Sequence, residues 1–379
     1  MASLGAILLL CLNLLGCCDA PEFVPPASSL EAPQVRVTKL TDGFSFGVKM
    51  ALLDDGRILL TEKETGYGRL VNAASELQDQ PVADVAVNYA SERGLLGIAA
   101  HPEFARTGYV YIAYVASTTA ADTNTKEDVS DIRIARFRLT DTTAESPPRT
   151  ILSLPARPGP YHNGGSLRFG PDGKLYVSLG ELNRHANIKS QLTGNPRGKI
   201  LRYNDDGTIP PDNPLGPHNP VFIYGIRNCF GFAFDPAGRS VLVSDNGPKG
   251  NDRLSQARPG DNLGWPLIWG GVDRWYERLA AWWIGRRFRP PLWDSLQVHA
   301  VPTAVQVLPN DLYGPNLTGR VLQFALDHTT RNTVVDLGTF LEGLPNLVDM
   351  QLDADGRLYL LTIQALYRVD PLTDAARRD

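Results

Sequence analysis

The chain has 379 residues, of which 43% are hydrophobic and 21% charged, a composition typical of a folded globular protein. Its 37 basic and 41 acidic residues leave a net charge of −4, and the basic residues form no long run. Because nucleic-acid binding needs a basic surface, we predict no nucleic-acid partner. The 35 glycines and 29 prolines indicate many short elements joined by turns.

The N-terminus contains an apolar run at residues 6–15. As a helix this run would span about 15 Å, half the hydrocarbon core of a bilayer, so we predict that residues 1–20 are a signal peptide and that the protein is exported. The tetrad Leu-Leu-Gly-Cys that ends at Cys17 resembles a bacterial lipobox, which predicts a periplasmic or cell-surface protein with a lipid anchor on that cysteine. Simple cleavage near Ala20 is the alternative. The first basic residue is Arg36, whereas export signals normally begin with positive charge.

Residues 21–34 are rich in proline and lack periodicity, which predicts a tether between leader and domain. Three of the four cysteines, Cys11, Cys17 and Cys18, lie in the leader, and only Cys229 lies in the body of the chain. This distribution excludes a disulfide framework and a cysteine-based zinc site.

A phrase recurs along the chain in which an apolar strand leads into a turn with a glycine and then into a second apolar strand. It occurs at residues 50–63, 98–115, 167–181, 232–245 and 350–362. Each copy predicts a β-hairpin whose turn glycine supplies the positive φ of a tight reversal.

The turn glycines recur at intervals of about 50 to 65 residues, except for one interval about twice as long. We therefore expect a sixth, degenerate phrase, which we place near residues 319–326. Six such units have the period of blades in a propeller. The predicted fold is all-β, a single six-bladed β-propeller over residues 35–371 followed by a tail at 372–379, with a binding site on its central axis.

One segment, residues 265–293, holds all six tryptophans, and within it residues 275–289 can form a helix. Two interpretations stay open. The helix can pack its tryptophans against the propeller, or it can present them to a membrane surface or a partner.

Several common catalytic motifs are absent. The run Gly-Tyr-Gly-Arg-Leu-Val (66–71) lacks the third glycine of a dinucleotide fingerprint, and residues 194–200 are one residue short of a phosphate loop. The sequence contains neither His-Glu-x-x-His nor Gly-x-Ser-x-Gly. Nicotinamide enzymes, nucleotidases and common serine hydrolases are therefore disfavoured.

Polar residues in glycine-rich loops beside strands are the remaining candidates for chemistry. His162 lies in a loop of small residues directly before a hairpin, and Glu181 ends that hairpin, so both can face one channel mouth. Arg227 and Asn228 follow an apolar stretch. The alternatives are a solvent-facing histidine and a structural ion pair at the arginine.

Five phrases together resemble the glucose/sorbosone dehydrogenase family. They lie at residues 92–104, 162–181, 198–214, 224–236 and 244–266. Members of this family are six-bladed propeller quinoproteins that oxidise aldose sugars with pyrroloquinoline quinone (PQQ). The resemblance implies an exported PQQ-dependent aldose sugar dehydrogenase that passes electrons to a quinone or a cytochrome.

The resemblance also implies roles for single residues. His162 matches the general base, which removes the proton of the anomeric hydroxyl while hydride leaves the same carbon for the cofactor, a task that suits imidazole. Glu181 matches the acidic residue that orients this histidine. Arg227 and Asn228 match the pair that holds and polarises the quinone oxygens, where a cation stabilises developing negative charge.

Three further residues match positions near the cofactor. Glu92 matches a polar side chain that approaches it. Gly247 and Pro248 match a loop whose backbone carbonyls bind a calcium ion that also coordinates PQQ, consistent with the preference of calcium for oxygen ligands.

The sequence departs from the family pattern at several points. Cys229 and Phe230 replace a Pro-Gln pair, and Arg253 replaces the acidic residue after Asp252, which argues against a further calcium site in that loop. PQQ carries three carboxylates, and family members neutralise them with basic residues from the late blades. The corresponding region offers Arg320, His328 and Arg331, without a motif that aligns them.

Two alternative functions therefore stay open. The chain can be a non-catalytic propeller that binds carbohydrate or protein, as the unaligned late basic residues suggest. It can also be a calcium-dependent lactonase, which would place several carboxylates around one metal at the axis. Apart from the interpretation that the helix at 275–289 meets a membrane, the N-terminal lipid anchor is the only membrane contact that the sequence predicts.

Overall fold

The computed structural model describes residues 35–182, 188–235, 240–248, 250–296, 300–307, 311–316, 318–326 and 334–371. The predicted signal peptide with Cys17, the tether and the C-terminal tail lie outside these ranges, as do His328 and Arg331. The described residues form six antiparallel sheets around a ring. This arrangement confirms the predicted six-bladed β-propeller.

The strands are numbered in chain order, starting with β1 (Val35–Asp42). The first blade contains β2 (Gly47–Leu52), β3 (Ile58–Glu62), β4 (Tyr67–Val71) and β5 (Ala83–Asp84). The second contains β6 (Leu95–Ala100), β7 (Tyr109–Val115), β8 (Asp131–Thr140) and β10 (Arg149–Pro155), with the short β9 (Thr143–Ala144) beside β8 and the one-turn helix α1 (Phe104–Thr107) between β6 and β7. The third contains β11 (Leu167–Phe169), β12 (Leu175–Leu179), β13 (Lys199–Tyr203) and β14 (Val221–Tyr224), with a 3-10 turn at Ile188–Gln191.

The remaining three blades follow the same order. The fourth contains β15 (Cys229–Phe234), β16 (Val241–Asp245), β17 (Arg253–Ala257) and β18 (Trp293–Asp294), with helix α2 (Trp275–Ile284) and a 3-10 turn at Gly285–Arg287 between its last two strands. The fifth contains β19 (Gln306–Val307), β20 (Asp311–Pro315), β21 (Val321–Leu326) and β22 (Val334–Leu341). The sixth contains β23 (Leu347–Leu352), β24 (Leu358–Thr362) and β25 (Ala365–Pro371).

The two ends of the described chain close the ring. Strand β1 pairs antiparallel with β25, so that Val35 lies opposite Pro371 and Asp42 opposite Ala365. The N-terminal strand is thus the outermost strand of the sixth blade. Because β1 belongs to the sixth blade and continues into β2 of the first, the chain itself connects the last blade to the first and closes the ring.

The five sequence phrases form the first hairpins of five blades, as predicted. The expected position of the sixth phrase was wrong. Residues 319–326 form the end of a turn and the third strand of the fifth blade, whereas the equivalent hairpin is β19–β20. The reason is that β19 has two residues, too few to show an alternating pattern.

The hydrophobic core lies between neighbouring blades. Among the described residues, seven clusters of buried side chains are present, and six of them each join two adjacent blades. In one of them, Leu59 of the first blade packs with Ile98 and Ile112 of the second. The packing fixes the blades around the axis, where their first strands contact one another.

The predicted helix is present as α2, but the expectation that it packs its tryptophans against the propeller holds for only part of the segment. Trp265 is buried and Trp269 is half-buried, whereas all three tryptophans of α2 are exposed. The helix is attached through Ala280 and smaller apolar contacts instead. Within the described residues, no helix has the length and apolar character needed to cross a bilayer.

Candidate active site

The predicted site residues meet at one end of the propeller. His162 precedes the first strand of the third blade, Glu181 follows its second strand, and Arg227 precedes the first strand of the fourth. In a four-stranded antiparallel blade, the connection from the previous blade and the loop after the second strand emerge at the same end. The topology therefore brings residues from distant parts of the sequence to one mouth of the central channel.

His162 and Glu181 form a buried pair. The Nδ1 atom of His162 lies 3.1 Å from Oε1 of Glu181, and both side chains are almost fully buried. The other carboxylate oxygen of Glu181 accepts a hydrogen bond of 2.7 Å from the indole Nε1 of Trp265. The pair fixes the ring and leaves Nε2 of His162 as the nitrogen that can accept a proton.

The backbone at His162 has an uncommon conformation. Its φ is 58°, in the left-handed region that residues with a side chain rarely adopt. The carbonyl of His162 lies against Gly180, where a Cβ atom would be only 2.2 Å from the carbonyl oxygen. A strained residue held by close backbone packing is typical of functional sites.

Glu92 connects the loop that contains His162 to the loop that contains Asn228. One oxygen of its carboxylate accepts hydrogen bonds from the backbone N–H of His162 at 2.8 Å and from the side-chain amide of Asn228 at 3.0 Å. Burial raises the pKa of Glu92, and these two hydrogen bonds oppose the rise. The structure thus joins three of the predicted site residues directly.

Arg227 lies beside a buried ion pair between Asp245 and Arg253. Its guanidinium donates to the carbonyl of Asn246 at 2.7 Å and lies over the ring of Trp265. Its backbone N–H donates to the carboxylate of Asp245, which also accepts the N–H of Asn228 at 2.7 Å. Asp245 in turn pairs with Arg253, and both of these side chains are fully buried.

The electrostatics of the site keep the histidine neutral. Burial, together with the nearby Arg227 guanidinium, lowers the pKa of His162 to about 3. The imidazole is therefore unprotonated at neutral pH and can act as a base. Burial likewise lowers the pKa of Arg227, which remains a cation at neutral pH.

The loop predicted to bind calcium begins at Asn246 and contains Gly247 and Pro248. Asp252 holds it, because one of its oxygens accepts the N–H of Gly247 at 2.8 Å. In the part of the chain that the structure describes, no group of three His, Cys, Asp or Glu side chains has the geometry of a metal site. A calcium site made from backbone carbonyls therefore stays a prediction.

Two buried oxygen atoms at the site could accept hydrogen bonds from a ligand or could coordinate a cation. The side-chain oxygens of Asn228 and Asn246 are buried without a hydrogen-bond partner. Buried acceptors of this kind are rare without an ordered water, an ion or a ligand. Together with the half-buried guanidinium of Arg227, they fit an anionic cofactor and an oxygen-ligated cation.

Of the expected late-blade cations, Arg320 lies within the described residues, and it is not part of this network. Arg320 is 57% exposed at its side chain, and its ion-pair partner is Glu342 at 3.9 Å. A different cation approaches the site from the first blade, where Lys63 lies near Glu92. Lys63 lines a pocket of about 590 Å³ together with Lys126 and Tyr89. No sequence pattern identifies this lysine as part of the site.

Another pocket, of about 510 Å³, lies at the opposite end of the channel beside the turns of the first hairpins. Arg168, Gln306 and Gln351 line it. None of the predicted site residues does.

Sequence reasoning missed three residues of the site. Trp265 and Asp245 lie within matched phrases, but no local pattern shows that they contact Glu181 and Arg227. Arg253 was noted only as a lost acidic residue, whereas it neutralises Asp245. In each case the contact joins residues that are separated in the sequence and that only the tertiary structure brings together.

The channel mouth of the propeller thus brings together a neutral histidine, a buried carboxylate and a half-buried arginine. The sequence model of the family described as Glucose / Sorbosone dehydrogenase matches residues 44–366. The chain belongs to this family.

Similar proteins agree with the assignment. The aldose sugar dehydrogenase YliI of Escherichia coli is 29% identical over 263 residues, which cover 68% of this chain and 67% of that protein. Quinoprotein glucose dehydrogenase B of Acinetobacter calcoaceticus is 31% identical over 240 residues, covering 58% of this chain and 50% of the other. The PQQ-bound aldose sugar dehydrogenase of Streptomyces coelicolor superimposes with a TM-score of 0.73 at 26% identity, covering 92% of this chain and 99% of that one.

Proposed function

We propose that the protein is a PQQ-dependent aldose sugar dehydrogenase that oxidises an aldose at its anomeric carbon with His162 as general base. The observation that carries the proposal is the buried, neutral imidazole of His162, whose Nδ1 faces Glu181 at 3.1 Å and which lies beside the Arg227 guanidinium. The family assignment and the PQQ-bound structural neighbour support the cofactor.

The residues divide the chemistry among them. Nε2 of His162 takes the proton of the anomeric hydroxyl, and Glu181 stabilises the resulting imidazolium through Nδ1–H. Arg227 supplies a fixed positive charge beside the reacting groups and stabilises negative charge that develops there. Bound PQQ would supply the two-electron acceptor for the hydride that leaves the same carbon.

Several groups would hold the cofactor and its cation. Arg227 and Asn228 would hold the quinone end, and Lys63 would offer a cation for a carboxylate in place of the unaligned late-blade residues. The carbonyls of Gly247 and Pro248 would bind calcium. The unpaired oxygen of Asn246 at the start of that loop supports an oxygen-ligated ion there.

The test is reconstitution with PQQ and calcium, followed by assay on a panel of aldoses with an artificial electron acceptor. We expect turnover on at least one aldose, and a loss of at least a hundredfold in kcat for His162→Asn with PQQ binding retained. His101→Asn is the matched control, because His101 packs edge-to-face against Phe169 and lies outside the site. Absence of PQQ binding and of turnover on every sugar would refute the proposal.

We also propose that the protein is exported and passes its electrons to a quinone or a cytochrome. The apolar run at residues 6–15 and the lipobox-like tetrad at Cys17 support export. Cell fractionation of the native protein and of Cys17→Ser tests it. A lipid anchor predicts membrane-bound protein that becomes soluble in the variant, whereas cytoplasmic protein in both would contradict export.

A non-catalytic binding module is the second candidate. The observation in its favour is that Arg320 is exposed and paired with Glu342 rather than directed at the site. Sugar binding without PQQ binding would support it. The lactonase alternative has no support in the described residues, which contain no cluster of carboxylates suited to a metal.

A further inference from the structure

The outer side of α2 is unusually apolar. Trp275, Leu279, Trp282 and Trp283 recur at three- and four-residue spacing and so lie on one side of the helix. Their exposed fractions are 71%, 42%, 78% and 67%. We call these four residues the tryptophan face. A contiguous exposed face of this kind marks an interaction site more often than a chance arrangement.

The tryptophan face is not needed to hold the helix. On the opposite side, Ala280 packs on Leu267 and Ile268. The buried carboxylate of Glu277 caps the helix by accepting the backbone N–H of Arg274 at 3.1 Å. The helix is therefore fixed from one side and presents its other side to solvent.

Arginines border the tryptophan face. Arg278 lies in the helix, and Arg286 and Arg287 lie in the 3-10 turn that follows it, all three exposed. Throughout the described ranges, none of these three guanidiniums forms an ion pair with a carboxylate, in contrast to the neighbouring Arg289, which binds Asp261. The border of the face is thus basic.

We propose that the tryptophan face docks the protein on a membrane surface that contains anionic phospholipids. Tryptophan rings favour the level of the lipid headgroups, and arginines beside them attract anionic headgroups. A surface helix with bulky aromatic residues outward and basic residues at its edge has the amphipathic character of an interfacial helix. The inference does not depend on the proposed catalytic activity.

The helix that carries the tryptophan face is linked to the candidate site. The helix follows Trp265 by ten residues in the same loop, and Trp265 bonds Glu181. The two are also linked through Trp269, whose ring lies 5.9 Å from that of Trp265 and whose backbone N–H faces the carboxylate of Glu277. The face and the site therefore share one loop.

Vesicle flotation tests the proposal on the full chain carrying Cys17→Ser, so that no lipid can be attached. The vesicles contain phosphatidylcholine alone or with phosphatidylglycerol. We expect flotation with the anionic vesicles at low salt, weaker flotation at high salt, and a blue shift of tryptophan fluorescence on binding.

Three variants make the test specific. The change W275S/W282S/W283S should abolish flotation, and R278Q/R286Q/R287Q should weaken it by roughly a hundredfold, since each arginine contributes about fivefold. The matched control R106Q/R149Q/R320Q removes three exposed arginines elsewhere and should leave flotation unchanged. Circular dichroism and thermal melting verify that each variant is folded.

Two results would overturn the proposal. One is flotation that is equal for all folded variants. The other is a lack of flotation, combined with self-association or stable binding of another protein. If W275S/W282S/W283S abolished that association, the face would be a protein interface.

Discussion

Trp265 donates a hydrogen bond of 2.7 Å from its indole Nε1 to Oε2 of Glu181, the carboxylate that faces His162. A loop of the fourth blade thereby completes a site whose histidine lies in the third. The bond satisfies one of the two oxygens of a buried carboxylate, while the other faces the imidazole. Trp265 is thus a positioning residue for the proposed base.

Replacing Trp265 with phenylalanine should slow catalysis without unfolding the protein. The aromatic ring is kept, but Glu181 loses a donor, and a lost hydrogen bond to a buried charged group costs about 1.5–3 kcal/mol. We expect kcat to fall by roughly tenfold or more with KM little changed, as steady-state kinetics would show. Trp293→Phe is the control, because its indole bonds the surface residue Asp336. Equal kinetics for both variants would contradict the role of Trp265.

Gly180 should tolerate no side chain. A Cβ there would lie 2.2 Å from the carbonyl oxygen of His162, so Gly180→Ala must displace the histidine loop. We expect kcat to fall by at least tenfold. Gly194→Ala serves as the comparison, because a Cβ at Gly194 meets nothing within 4 Å and should leave kcat unchanged. Wild-type activity in G180A would show that the loop position does not matter.

The buried pair of Asp245 and Arg253 should contribute to stability. Arg253→Met leaves a buried carboxylate without its cation, which costs about 3–5 kcal/mol in the free energy of unfolding. Urea denaturation would measure the loss. Arg106→Met, which removes an exposed pair with Glu103, should produce no measurable change. A variant R253M as stable as wild type would show that Asp245 is satisfied by other groups.

The protonation of His162 should respond to Arg227. Burial and the guanidinium both lower the pKa of His162, so Arg227→Gln should raise that pKa while leaving it below the ordinary value of about 6.5. Histidine NMR titration of the cofactor-free protein measures this. The pKa of His101, which burial also lowers, should not move and is the internal control. An unchanged pKa of His162 would contradict the electrostatic coupling.

Much of the fold was predictable because its signal is local. An apolar strand, a turn with a glycine and a second strand identify a hairpin within about 15 residues, which is why five blades were found. The fifth blade was misplaced because β19, at Gln306–Val307, is too short to show a pattern. The closure of the ring by β1 and β25 joins the two ends of the chain, and no local pattern carries that information.

The site was predictable to a smaller extent. His162 and Glu181 flank one hairpin, so the sequence places them at the same end of a blade. The hydrogen bond from Trp265 depends on how the long loop between β17 and β18 packs against the third blade. The position of Lys63 depends on how the first blade is placed beside the site. Whether the tryptophans of α2 face the propeller or the solvent could not be predicted for the same reason. The apolar pattern of a helix does not show which of its sides packs against the protein.

The central claim is that His162 removes the proton of the sugar when the cofactor is bound. The most direct measurement is stopped-flow absorbance of the PQQ-loaded protein mixed with an aldose without an external acceptor. We predict rapid reduction of the cofactor in the wild type and, in His162→Asn, retained cofactor absorbance with reduction slowed by about a hundredfold or more. Reduction at the wild-type rate in the variant would contradict the account.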